Sequence, residues 1–291
     1  MRSAAPGVLR PTAPITVVLG ERCYDCTYRP LVMGIVNRTP DSFYDRGAYF
    51  DGDGFLRRAE QVVAEGADVI DVGGVKAGPG PEVGAEEELE RVVPAVERLA
   101  GLFDVPISVD TWRAEVAAAC FAAGAVLGND ISGFADPDYL PVAAQAGATV
   151  VATHIRLRPR ERDLTPVYPG GVVHDVRAFL ADRAHRAEAA GIAKQRIIID
   201  AGLDLGKTTP QSVALLRESQ RLAELGYPLL LSASNKTFLG ELLGLEITQR
   251  RDASLAAAAL GIIGGCRVLR VHDVKGTVRV RDTLDAILRA A

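Results

Sequence analysis

Cysteine is scarce, with four in 291 residues. That count makes no disulfide framework of the kind that staples small secreted folds. Cys23 and Cys26 form one C-x-x-C, but no second pair or nearby histidine supplies the about four ligands of a zinc site. A redox C-x-x-C belongs where a strand meets a helix. Here Tyr24 and Asp25 instead read as the tip of a hairpin between Thr16–Leu19 and Tyr28–Val36. Long apolar runs are missing too. The longest, Ala256 to Gly265, is far below the roughly 20 residues of a membrane span. Met1 to Pro14 lacks the continuous apolar stretch of a signal peptide and is expected to be a loose leader, residues 1–14. Cytoplasm is then the default compartment, and the sequons at Asn37 and Asn235 are coincidental. No basic tract occurs and the formal net charge is −4, which argues against a nucleic-acid surface while allowing a local cationic pocket.

What is present is a repeat of short apolar runs, each followed by a polar or glycine-rich stretch and a segment of helical periodicity. The runs are Leu31–Val36, Val69–Val72, Ile107–Val109, Ala125–Leu127, Thr149–Ala152, Arg196–Ile199, Leu229–Leu231 and Arg267–Val271. They lack clean alternation, as parallel strands buried on both faces do. Phe55, Ala59, Val62 and Val63 share a helical face; so do Leu89, Val92, Val93 and Val96; Val213, Leu216 and Leu222; and Val280, Leu284, Ile287 and Leu288. Eight such alternations predict a single (β/α)8 TIM barrel, class α/β, with a short N-terminal hairpin, spanning 15–291. An open doubly wound sheet is the alternative.

A barrel by itself says nothing about function. The side chains at the strand ends do, because active sites lie at that face. In order these are Asn37, Asp71, Asp110, Asn129, His154, Asp200, Ser232 with Lys236 just beyond, and Arg270 with His272. One such residue is usually a helix cap; a succession at nearly every strand is not explained by caps. Asp110, Asp200 and Asn129 supply acceptors, and an amide donor, for a planar heterocycle rich in N–H groups. Arg270, His272 and Lys236 suit an anion, and a guanidinium can grip phosphate bidentately. The site therefore reads as bipolar, a nitrogen-rich ring at one end and phosphate at the other. No His/Cys/Glu metal cage and no G-x-S-x-G elbow is present. Any magnesium is expected to be held mainly by substrate phosphates. Gly202–Thr208 is one residue short of a Walker A loop and follows the sixth strand rather than the first.

The same residues stand in longer strings. Val32-Met33-Gly34-Ile35-Val36-Asn37-Arg38-Thr39-Pro40-Asp41-Ser42-Phe43, Asp71-Val72-Gly73-Gly74, Ile107-Ser108-Val109-Asp110-Thr111, Asn129-Asp130-Ile131, Asp200 with Leu205-Gly206-Lys207, Ser234-Asn235-Lys236-Thr237 and Arg270-Val271-His272-Asp273-Val274 follow one another in order. Together they resemble the signatures of the dihydropteroate synthase family, over about residues 30 to 288. The resemblance implies a barrel, usually a homodimer, that joins 6-hydroxymethyl-7,8-dihydropterin pyrophosphate to p-aminobenzoate with Mg2+. It implies that Asp110, Asn129, Asp200 and Lys236 hold the pterin. It implies that Asn37, Arg270 and His272 hold the pyrophosphate, with Asn37 near the metal, and that Asp110, Lys236, Arg270 and His272 serve the chemistry. By the same analogy the Ala256–Gly265 region forms the dimer surface; the alternative is that its small residues let helix and barrel approach closely.

The departures gather around the second substrate. Where the family usually reads Gly-Gly-x-Ser-Thr-Arg-Pro-Gly, this chain has Lys76, Ala77 and Gly78 in place of the Ser, Thr and Arg. Leu203 and Leu205 stand where the family has two Phe, Asp204 where it has Gly, and Asn235 where it has Arg. Leucine fills volume but loses aromatic stacking worth about 0.5–1.5 kcal/mol. Asp204 brings a negative charge near the expected carboxylate of the acceptor. These changes resemble the divergent second paralogue of the family in actinobacteria. Three functions stay open: a paralogue with weak or absent synthase activity, an active folate synthase with an unusual acceptor site, whether for p-aminobenzoate or another amine, and a pterin-dependent methyltransferase-type barrel.

Overall fold

The computed structural model describes residues 14–37, 52–75, 78 and 82–290. Eight strands close into one parallel barrel: β3 (Leu31–Ile35), β4 (Val69–Gly73), β5 (Ile107–Asp110), β6 (Leu127–Asp130), β7 (Thr149–Thr153), β8 (Ile197–Asp200), β9 (Leu229–Leu231) and β10 (Cys266–Val271), with β10 pairing β3 to complete the ring. The fourth barrel strand lies later than Ala125–Leu127, because its polar end, Gly128-Asn129-Asp130, is strand and not loop.

A two-residue alternation organises the barrel. Val32, Ile70, Val109, Val150, Ile199 and Leu269 face outward into the layer shared with the helices. Leu31, Met33, Val69, Leu127, Val151, Ile198, Leu230 and Val268 face inward. Two residues further along six strands, the inward column turns polar. Val69 is followed by Asp71, Leu127 by Asn129, Val151 by Thr153, Ile198 by Asp200, Leu230 by Ser232 and Val268 by Arg270.

The apolar end of this column is plugged by a hairpin, β1 (Thr16–Leu19) and β2 (Arg22–Asp25), which buries Val17 and Leu19 among those inward residues. Its turn is Gly20-Glu21, with Gly20 at φ 57°. Tyr24 and Asp25 therefore lie within β2 and not at the tip, and Tyr28 falls in the connection to β3. The Thr149 hydroxyl and the Arg196 guanidinium hold the hairpin through the carbonyls of Val18 and Gly20. With the strand starts sealed, the polar strand ends are left as the open mouth.

The outer layer contains ten α-helices among the described residues: α1 (Gly52–Ala64), α2 (Ala85–Leu102), α3 (Ala114–Ala122), α4 (Tyr139–Gln145), α5 (Val172–Ala189), α6 (Thr209–Arg217), α7 (Ser219–Ala223), α8 (Thr237–Leu243), α9 (Arg251–Ile263) and α10 (Val274–Arg289). The expected faces of α1 and α2 are buried at Phe55, Ala59, Val62, Val92 and Val96. The segment holding Val213, Leu216 and Leu222 is two helices, broken at Glu218. In α10 the buried face runs through Val274, Thr277 and Arg281, the last paired with Asp68, whereas Ile287 is 59% exposed. In α9, Ala257, Ala258 and Gly261 are buried, and a Cβ on Gly261 would lie 2.4 Å from Leu231. On that face the small residues serve close approach to the barrel.

Candidate active site

The inward polar column meets in one cleft, lined by Asp110, Asn129, Ile131, Thr153, Asp200, Gly202, Leu203, Leu205, Ser232, Lys236 and Arg270. It encloses about 390 Å³ of empty space, part of it open to solvent. All four residues expected to hold a ring, Asp110, Asn129, Asp200 and Lys236, are in it.

Arg270 organises one wall. Its Nε donates to Asp71 Oδ2 at 2.7 Å and its Nη2 to Asp110 Oδ2 at 2.6 Å. Ser108 Oγ donates to the other Asp71 oxygen at 2.5 Å. Burial alone would lower the Arg270 pKa, but Asp71 and Asp110 outweigh it and hold the guanidinium firmly charged. Burial raises Asp110 in turn, with Arg270 opposing and Asp71 reinforcing the rise. Strand register explains the contact, since Asp71 pairs with Ser108 and Gly73 with Asp110. Gly73 leaves room for this crossing. A Cβ there would lie 3.1 Å from Asn37 Oδ1 and 3.4 Å from the Asp110 Cβ. Asn37 is thus beside Asp110.

The opposite wall presents polar groups with few partners in the protein. The Asn129 amide is buried, and no hydrogen bond joins it to another side chain or to backbone among the described residues. Asp200 Oδ1 accepts the Gly202 N–H at 2.9 Å, and burial raises this carboxyl above the usual range. Burial lowers the Lys236 pKa, while Asp204 and Asp200 pull it back up.

His272 is neutral; burial, with Arg270, Arg58 and Lys236 nearby, pushes its pKa down to about 3. Its backbone N–H donates to Ser234 Oγ at 3.2 Å, and Oγ lies 3.0 Å from its Nδ1. Ser234 Oγ has lone pairs for both contacts, so it donates to Nδ1 in one neutral ring tautomer and accepts from it in the other. A neutral imidazole, not an imidazolium, is what this residue offers.

A buried cluster joins His154, expected among the strand-end residues, to Lys207. Lys207 Nζ lies within hydrogen-bonding distance of the carbonyls of Gly202 at 2.8 Å, Leu205 at 2.9 Å and His154 at 3.3 Å, and of His154 Nδ1 at 2.9 Å, four groups sharing three N–H donors. Burial draws Lys207 down to about 7 and His154 to about 3. His154, at the end of the fifth barrel strand, is therefore an acceptor for Lys207 and does not line the cleft. The signal in the sequence was Gly202, Gly206 and Lys207 together, which look like a phosphate loop yet form a lysine-centred knot.

Of the altered positions, Leu203 is buried and Leu205 half-buried, both on the cleft. Asn235 has φ 58°, and Ser254 Oγ accepts its N–H at 3.0 Å. Gly78 is half-buried; Lys76 and Ala77 lie outside the described residues. The described residues on either side of them are held by arginines. Arg91 donates to the Gly74 carbonyl at 2.8 Å and Arg113 to the Val83 carbonyl at 2.7 Å. No group of three or more His, Cys, Asp or Glu side chains among the described residues is placed to hold a metal. No helix among them is long and apolar enough to cross a membrane.

Comparison with known proteins decides the family. The model of the family described as "Pterin binding enzyme" matches residues 33–272. The chain belongs to the pterin-binding enzyme family. Among its relatives in that family, "Inactive dihydropteroate synthase 2" of Mycobacterium leprae (strain TN) is 48% identical over 264 residues, 89% of this chain and 91% of that one. The Yersinia pestis dihydropteroate synthase, solved with a sulfonamide drug complex, is 38% identical with a TM-score of 0.90, covering 95% of this chain and all of that one. Dihydropteroate synthase from Xanthomonas albilineans, solved with 4-aminobenzoic acid, is 39% identical with a TM-score of 0.87, covering 96% of this chain and all of the other. The chain is thus similar both to proteins named dihydropteroate synthase and to one named inactive.

Proposed function

We propose that this chain is a divergent member of the dihydropteroate synthase group that holds a pterin pyrophosphate and makes little or no dihydropteroate. The observation that carries the reading is the single cleft in which Asp110, Asn129, Asp200 and Lys236 meet beside Arg270. The carboxylates accept ring and exocyclic N–H groups, the Asn129 amide both donates and accepts, and Lys236 donates. Residues 15–291 act as one barrel unit in this reading.

In the reaction of the group, an amine nitrogen attacks the pterin methylene carbon. The C–O bond to pyrophosphate breaks, its electron pair leaves with the pyrophosphate, and the amine gives up a proton. Asn37, Arg270 and His272 would hold the leaving anion, Arg270 by charge and His272 as a neutral imidazole. The donor set fits a loosely held magnesium, since Mg2+ commonly takes one or two protein oxygens and completes its shell with phosphate and water. Asn37 Oδ1 beside Asp110 offers such an oxygen; when bound, the ion would neutralise charge on the departing pyrophosphate. The acceptor side supports the loss of ordinary activity. Leu203 and Leu205 remove aromatic stacking, and Gly78 offers no charge where the family has arginine.

A cytoplasmic homodimer completes the reading, supported by apolar side chains that α8 and α9 leave exposed: Leu242, Leu243, Leu260 and Ile263. The test has two measurements on the purified chain with magnesium. Calorimetry should detect pterin pyrophosphate. Dihydropteroate formation from 4-aminobenzoate should be at least about a hundredfold below that of the Y. pestis enzyme. Turnover within tenfold of that control would establish an active synthase instead, and no pterin binding would remove the pocket assignment.

A further inference from the structure

Asn37 and His272, both proposed to hold the leaving anion, come from neighbouring strands. Asn37 follows β3 and His272 follows β10, and these strands pair with Gly34 opposite Val271. Gly34 is where the outer layer closes over the pair. A Cβ there would lie 2.3 Å from Val62 Cγ1 of α1 and 3.0 Å from Val274 Cγ2 at the start of α10. The missing side chain thus lets α1 approach the corner that carries His272. Arg58 lies one helical turn before Val62, on the same face of α1. It is half-buried, and its Nη2 donates to the His272 carbonyl at 2.6 Å.

That contact completes the fixing of His272. The His272 N–H donates to Ser234 Oγ at 3.2 Å, and the same oxygen lies 3.0 Å from its Nδ1. Just beyond, Asp273 accepts the Gly276 N–H at 2.9 Å and pairs with Arg251 at 2.7 Å. Ser234, in the loop after β9, therefore sets the ring and one side of the His272 backbone. Arg58, from α1, sets the other side with a charged donor, the stronger kind of hydrogen bond. Arg270 beside them is already fixed by Asp71 and Asp110. A donor set held in place before the ligand arrives loses less freedom on binding. Arg58 itself is absent from the lining of the cleft that meets the ring.

We infer that Arg58 is a positioning residue for the anion end of the site, holding His272 through its carbonyl where the pyrophosphate leaves. This rests on the proposal above that His272 holds the pyrophosphate.

The test uses the full chain and two measurements. The first is calorimetry with magnesium, with inorganic pyrophosphate and the phosphate-free pterin alcohol as separate probes. Arg58→Met keeps the apolar stem and removes the donors. It should weaken pyrophosphate at least about tenfold, about 1.4 kcal/mol, and change the pterin alcohol by less than about twofold. Arg58→Lys keeps a charged donor and should bind pyrophosphate more tightly than Arg58→Met. The second measurement is NMR of ligand-free protein labelled with carbonyl-13C histidine and 15N aspartate. Only two His-Asp pairs occur in the sequence, His174-Asp175 and His272-Asp273. Arg58→Met should move the His272-Asp273 signal and leave the other in place. Unchanged pyrophosphate affinity in Arg58→Met would overturn the inference. So would an equal loss for both probes, or a His272-Asp273 signal that stays put or moves together with its control. No pyrophosphate binding by the unmodified chain would strike the underlying anion site instead, while the carbonyl signal still decides whether Arg58 sets His272.

Discussion

Asp71 shows how much one buried carboxylate can organise. It is fully buried, receives Ser108 on one oxygen and Arg270 on the other, and through Arg270 reaches Asp110 in the cleft. Removing one member of a buried ion pair costs about 3–5 kcal/mol, because the partner is left charged and dry. Asp71→Asn keeps the Ser108 contact and deletes the charge, so urea unfolding should show a loss of about 3 kcal/mol, and calorimetry a pterin affinity at least tenfold weaker. A loss below about 1 kcal/mol would mean that Asp110 alone suffices for Arg270. His154 allows a pH experiment. Its folded pKa, pushed down to about 3, is below the 6.5 of an unperturbed histidine. Between those values the unfolded chain binds the extra proton, so the His154 contribution grows as pH rises through the window and is lost as pH falls. Asp110 and Asp130 are raised to about 7 and about 6 and act in the opposite sense, so the total profile mixes signs. The stability difference between the unmodified chain and His154→Asn isolates the histidine. It should increase steadily from about pH 3 to about pH 6.5 and flatten above; a flat difference throughout would remove the depressed pKa.

The loop after the sixth barrel strand is the element on which site geometry depends most. Gly202 at φ 62° begins it, and a Cβ there would sit 2.1 Å from the His154 carbonyl oxygen. That oxygen is one of the acceptors of Lys207, so Gly202→Ala pushes against the lysine knot and against Asp200 two residues before. Gly244 has a similar φ of 66° but nothing within 4 Å. Gly244→Ala should therefore cost only the left-handed backbone penalty, roughly 1–2 kcal/mol. Gly202→Ala should cost at least about 2 kcal/mol more by denaturant unfolding and should also weaken pterin binding. Equal losses would show that the loop yields freely. Elements of this kind were only partly legible in the sequence. The eight barrel strands could be read because each carries an apolar run, and Asp110, Asn129, Asp200, Lys236 and Arg270 because each stands at or just beyond the end of one. Less was legible where polarity occurs inside a strand. Asn129 and Asp130 look like loop but complete β6, since the inward face of a barrel strand turns polar at the mouth. The pairing of Lys207 with His154 was missed for another reason: the other acceptors of Lys207 are backbone carbonyls, which leave no pattern of side chains.

At the scale of the whole molecule, the barrel separates stability from function along its axis. The hairpin seals the end where the strands begin with Val17 and Leu19, and the site is built two residues further along the same inward columns. Asn129 and Asp200 are buried at the mouth, a cost that a ligand carrying complementary N–H groups would relieve. Binding should then stabilise the fold by mass action, about 2.7 kcal/mol at a ligand concentration 100 times Kd. For a chain of this size, 1 kcal/mol shifts the melting temperature by roughly 2–4 °C. Pterin pyrophosphate with magnesium should raise Tm by roughly 5–10 °C at that concentration. Asp200→Asn retains an oxygen for the Gly202 N–H and relieves a carboxyl that burial already disfavours, so the unliganded Tm should change by no more than a few degrees. The same variant loses the charged acceptor for ring N–H groups, so the ligand-induced rise should shrink to about 1 °C or less at the same concentration. Scanning calorimetry of both proteins, with and without ligand, separates the two effects. A full ligand-induced rise in the variant would show that Asp200 belongs to the scaffold and that the ring is read by the other wall of the cleft.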